Sequence, residues 1–136
     1  MTIRFQPLPA PGDIVWCHFP QEIGIPGPKA RPALVTHVFD DDHAVRIAYG
    51  TSQKTEKVYP GEFVLDPADA GFPISGLAAR TKFDLNQSVD VFFDSDWFAA
   101  NQSVYASTPL PKMGRLDISY NPLVQKAAKA VKPKKP

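Results

Sequence analysis

Cysteine is nearly absent: Cys17 is the single one in 136 residues, so the chain forms no internal disulfide and is expected in a reducing compartment. Cys17 lies in an alternating apolar run, where a buried structural thiol is the expected state rather than a reactive one. No apolar run approaches the length of a membrane span. The opening MTIRFQPLPAPG lacks the apolar centre of a signal peptide, so a cytoplasmic protein with no membrane association is expected. Net charge is also lacking: 15 basic side chains oppose 14 acidic ones, a formal balance of +1. The molecule as a whole therefore exerts no strong pull on nucleic acid, and any such contact must come from a local patch. Charge is unevenly placed, with Lys126, Lys129, Lys132, Lys134 and Lys135 crowding the C-terminus and Asp40, Asp41 and Asp42 forming an acidic knot. There is no internal repeat.

A chain of this length is one domain with a core of its own, and 43% hydrophobic with 11% aromatic content fits a folded globule. Residues 1–11 hold three prolines and read as an extended lead-in to a domain over 12–131, followed by a basic tail at 132–136. The stretch GDIVWCHFPQEIGIPGPKARPALVTHV, Gly12 to Val38, organises the rest. Its first part alternates, with Val15, Cys17 and Phe19 on one face and Ile14, Trp16 and His18 on the other. Apolar residues on both faces predict a strand covered on both sides. Pro26, Gly27 and Pro28 exclude a helix over 21–30, leaving a loop placed to act as a lid. Arg31 stands where this loop re-enters the sheet. A backbone-fixed guanidinium facing a cleft suits an anion, since its planar fork meets a phosphate through two hydrogen bonds.

Strands are further predicted at 33–39, 44–49, 57–59, 62–65, 77–85 and 89–93, with a last short one before residue 118. Asp40-Asp41-Asp42-His43 reads as a solvated hairpin tip rather than a metal site, because neighbouring side chains on a turn diverge. Gly50-Thr51-Ser52-Gln53 is either an ordinary polar turn or part of a site. Trp97 and Phe98 are either core or a stacking platform for bases. Asn121-Pro122 starts a helix to about residue 131, with Leu123, Val124, Ala127, Ala128 and Val131 as its apolar stripe. Short strands with one terminal helix make an α+β, mainly β, barrel.

Two segments carry a family resemblance. Gly12-Asp13-Ile14-Val15-Trp16 followed, after a spacer, by Arg31-Pro32-Ala33-Leu34-Val35 resembles the signature of the MazF/PemK toxins of bacterial toxin–antitoxin modules. Val45 to Gln53, ending in Thr-x-Gln, is similar to a second family strand, in the correct order. The resemblance implies an SH3-like barrel of the MazF/CcdB type, a homodimer, and an endoribonuclease that cleaves single-stranded RNA without metal or other cofactor. It also implies a cognate antitoxin that silences the enzyme. By the same motif match, Arg31 stabilises phosphate charge while Thr51 donates or relays a hydrogen bond. Gln53 orients substrate, with Ser52 a lesser candidate because its side chain should point away from that of Thr51. Arg80-Thr81-Lys82 stands where the family has a Pro-Thr-His-like segment, and its charge would suit a phosphate backbone. That departure, and DSDWFAANQ where a Gln-x-Arg-like segment is expected, keep open a non-catalytic binding protein on the same barrel, such as a CcdB-like gyrase inhibitor.

Overall fold

The computed structural model describes residues 2–21, 24–100 and 110–131. The predicted alternation forms β1 (Asp13–Cys17), β2 (Arg31–Phe39), β3 (Ala44–Thr51) and β4 (Glu62–Leu65), followed by β5 (Thr81–Phe92), β6 (Lys112–Arg115) and the helix α1 (Asn121–Ala130). The six strands make one antiparallel sheet in the order β4-β5-β3-β2-β1-β6, curled into a half-barrel. This is the mainly β, α+β architecture expected. Among the described residues no helix is long and apolar enough to cross a membrane.

The sheet has a core on each face, as the two-sided pattern of β1 requires. Val15, Cys17, Ala33, Val35, Val45 and Ile47 point into one, joined by Phe93 and Phe98. Ile14, Leu34, Ala48, Phe63, Leu65 and Phe83 point into the other, closed by Tyr120 and by Ala127 of α1. Burial lifts the Tyr120 hydroxyl above the usual tyrosine range, with its hydrogen bond to Asp69 Oδ2 at 2.9 Å adding to the shift. Burial also pushes the Cys17 thiol far above its ordinary value, so it stays a protonated structural side chain.

Four sequence expectations change. The two strands expected at 77–85 and 89–93 are one, β5, bent where the pairing steps from Tyr49↔Asp84 to Ala48↔Ser88. Residues 85–87 bulge out of the ladder there, and the bend lets Phe83 enter one core while Val91 enters the other. Gly50 makes room for it: a Cβ there would lie 2.6 Å from Pro32 O and 2.7 Å from the Phe83 ring. Residues 57–59 are not a strand, because their loop turns its carbonyls toward Lys82 instead of a ladder. The N-terminal segment is extended but packed. Phe5 is buried against Phe93 at 5.8 Å, Phe5 N–H donates to Phe93 O at 3.2 Å, and Ile3 N–H donates to Ser95 Oγ at 2.8 Å. The acidic turn is solvated as expected, an exposed 3-10 turn at Asp40–Asp42, but His43, which closes it with φ 50, is buried rather than part of the solvated tip. The His43 ring turns inward, its Nε2 lying 2.9 Å from Phe5 O. The basic tail at 132–136 lies outside the described residues.

Phe98 is 2% exposed and meets Phe93 edge-on at 5.0 Å, while Trp97 packs half-buried against the same core. This pair belongs to the first core. Phe98→Ala is therefore expected to lower unfolding stability by about 3–5 kcal/mol in a denaturant titration. A loss under about 1 kcal/mol would place the ring outside the core.

Candidate functional site

The strands set the site by register. Ala33 pairs with Tyr49 and Leu34 with Ala48 across β2 and β3. The pairing ends at Ala33 and Tyr49, and its register continued two residues would set Arg31 opposite Thr51. Neighbouring strands extend the row, with Cys17 opposite Arg31 and Lys82 opposite Thr51. Directly opposed residues share a face of an antiparallel sheet, so Arg31, Tyr49 and Thr51 project to the same side.

Arg31 opens into a cleft of about 340 Å³, lined also by Phe19, Gln21, Lys29, Tyr49 and Gln87. The described lining has two cations and no carboxylate, so its field favours an anion. Arg31 is half-buried and makes no ion pair with a described residue, which leaves its fork available. Tyr49 packs on Phe19 with ring centroids 5.1 Å apart, giving the cleft a fixed aromatic wall. Thr51 stands beside the cleft rather than among its lining residues. Its Oγ1 accepts from Gln53 N–H at 3.1 Å, a local turn that leaves the hydroxyl proton to be donated outward. Ser52 and Gln53 are exposed on that turn, and Lys54 follows with φ 54.

The remaining sequence candidates lie in the neighbouring loop's framework. Arg80 forms an ion pair with Asp66 and donates to Thr55 O at 3.3 Å. A backbone hydrogen bond from Ala68, reinforced by Arg80, holds the Asp66 carboxyl below its ordinary value. Thr81 is buried, its hydroxyl donating to Ala79 O at 2.9 Å. Lys82 is 7% exposed; its ammonium donates to Lys57 O at 2.8 Å and Lys54 O at 3.2 Å, and meets Glu62 at 3.3 Å. It thus ties the 52–61 loop down beside Thr51. Among the described residues no group of three His, Cys, Asp or Glu is arranged to hold a metal ion.

Sequence reasoning missed Lys29, Tyr49 and Gln87. Tyr49 carried a readable signal, since it alternates with Ile47 and Thr51 on one strand face. Gln87 carried none, because only the bulge in β5 brings it to the cleft.

The sequence matches no family model and no curated protein. Among solved structures, the chain is similar to an endoribonuclease in complex with its cognate antitoxin from a mycobacterial species. The TM-score is 0.55, at 14% identity, covering 94% of this chain and 99% of that chain. At this identity the likeness establishes a shared fold.

The ties made by Lys82 differ in kind from those of surface pairs such as Arg46 with Asp90, whose side chains are 41% and 50% exposed. Lys82→Met removes the counter-charge of Glu62 and a donor to the carbonyls of Lys54 and Lys57, and is expected to cost about 2–4 kcal/mol with faster hydrogen exchange over 52–61. Asp90→Asn is expected to cost under about 1 kcal/mol. Equal costs for the two variants would contradict the framework role of Lys82.

Proposed function

We propose that the chain is a toxin-type endoribonuclease of the MazF/PemK kind, acting as a homodimer on single-stranded RNA in the cytoplasm and silenced by a cognate antitoxin. The observation that carries this reading is the placement of Arg31 and Thr51, on one face and at one end of adjoining strands, beside a cationic cleft. The shared fold with an endoribonuclease held by its antitoxin supports it.

In the proposed reaction the ribose 2′-hydroxyl attacks the adjacent phosphorus. The O2′–P bond forms and the P–O5′ bond breaks, leaving a 2′,3′-cyclic phosphate and a 5′-hydroxyl. The 2′-hydroxyl proton is lost to solvent, and the departing O5′ takes one up. Negative charge gathers on the non-bridging oxygens as phosphorus becomes five-coordinate. The Arg31 fork meets two of these oxygens and lowers the barrier where charge develops, a contribution of roughly 3 kcal/mol. The hydroxyl of Thr51, turned outward by its bond from Gln53 N–H, donates to the same phosphate or to the leaving oxygen. With a pKa far above neutral it acts as a donor and not as a base. Lys29 adds positive charge at the cleft mouth, and Gln53 and Ser52 lie on the turn that substrate would cross. Arg80 and Lys82 assist by holding the adjacent loop, while Thr81 is tied to Ala79 beside it.

The second reading, a non-catalytic barrel that binds a protein target such as DNA gyrase, is favoured by one observation. Arg80 and Lys82 are occupied by Asp66 and Glu62, so fewer cations than expected are left to track an RNA backbone.

Purified protein incubated with a long single-stranded RNA in EDTA separates the two. Cleavage by the wild type is expected, with Arg31→Ala slower by roughly 100-fold and Arg31→Lys only partly restored, because a point charge lacks the fork. Intact RNA with the wild type, alongside recovery of a bound protein target, would favour the second reading. Equal cleavage by Arg31→Ala would remove Arg31 from the reaction.

A further inference from the structure

The bulge at 85–87 brings Gln87 to the lining of the Arg31 cleft, and the chemistry of its exposed amide is constrained. Leu85 N–H donates to Gly61 O at 2.9 Å, and Asn86 Nδ2 donates to Pro60 O at 2.9 Å, so the bulge is fixed to the loop before β4. Asp84 holds it from within: Oδ1 accepts from Asn86 N–H at 2.9 Å and Oδ2 accepts from Gln87 Nε2 at 2.9 Å. An ionised carboxylate can only accept, so it settles which way the Gln87 amide faces. Nε2 must point at Asp84, which leaves the carbonyl Oε1 and the second N–H without a described partner on a residue that lines the cleft. An acceptor beside a donor is a pattern that pairs with a nucleobase edge, and on the Hoogsteen edge adenine alone matches it, through N6–H and N7. The cleft also supplies the Tyr49 ring, braced on Phe19, as a surface for a base to stack on.

We propose that Gln87, oriented by Asp84, is a specificity-determining residue that reads the Hoogsteen edge of an adenine next to the phosphate held by Arg31. The inference rests on the reading of the cleft as an RNA site and adds the base that it prefers. Arg31 and Lys29 bind the backbone without regard to sequence, Tyr49 stacks on any base, and Gln87 distinguishes among bases. On the Hoogsteen edge guanine presents two acceptors, N7 and O6, and leaves the amide mismatched, while cytosine and uracil have no ring nitrogen there.

Short single-stranded oligonucleotides, 2′-O-methylated so that they cannot be cleaved and differing only in the base beside the central phosphate, test this by direct binding. The adenine form is expected to bind the wild type roughly tenfold more tightly than the guanine form. Gln87→Leu, which keeps the bulk without the amide, should reduce the difference to about twofold or less. Asp84→Asn gives a readout that a merely structural role would not move. Its carbonyl still accepts from Asn86 N–H, so its NH2 faces Gln87 and turns the amide over. The donor and acceptor then change places, and the adenine preference should fall or pass to another base. Equal binding of all bases by the wild type, or an unchanged preference in Gln87→Leu, overturns the inference. RNA cleavage whose site choice ignores Gln87→Leu overturns it while leaving the nuclease reading intact. Base-selective binding without any cleavage sustains it and removes the nuclease. Failure of every oligonucleotide to bind removes both.

Discussion

The pairing of β2 with β3 is the constraint on which the rest depends. Its register, continued past the last pair, brings Arg31 and Thr51 to one end of the sheet although they stand twenty positions apart in the chain. A slip of one residue would turn either side chain to the opposite face. The register is held by what lies beneath it: Ala33, Val35, Val45 and Ile47 fill one core, while Leu34 and Ala48 fill the other. Since both faces are buried, a slipped pairing would exchange the contents of both cores at once. The positions of the cation and the hydroxyl thus follow from hydrophobic packing on both faces of the sheet.

Around that ladder the polar groups fall into two sets. Arg80 and Lys82 spend their charge on Asp66, Glu62 and the carbonyls of the 52–61 loop, which shapes the ground beside Thr51. Arg31 and Lys29 have no described acidic partner and face the cleft instead. Chemically similar cations thus differ in whether the fold already engages their charge. Gln87 falls between the sets, anchored by Asp84 on one side and open on the other.

The legibility of the sequence follows the range of the interactions. β1, β2, β3 and α1 were readable because alternation, proline and glycine act within a few residues. Arg31 and Thr51 were readable as a pair through the family resemblance, and the observed register is compatible with the shared role that it implies. What could not be read depends on distant partners. Lys82 looked like a surface cation until Glu62 and the carbonyls of residues 54 and 57 came to it. The segment around Phe5 looked like a lead-in because its anchors, Phe93 and Ser95, lie some ninety residues away along the chain. The bulge that presents Gln87 has no periodic signature, since it interrupts the period.

An NMR titration of the labelled protein with a 2′-O-methylated oligonucleotide tests the central claim most directly. The Arg31 guanidinium Nε–H and the Thr51 methyl signal should shift together and saturate along one binding curve, because both groups meet one phosphate. Shifts confined to α1 and β4, with Arg31 and Thr51 unmoved at saturation, would contradict the account.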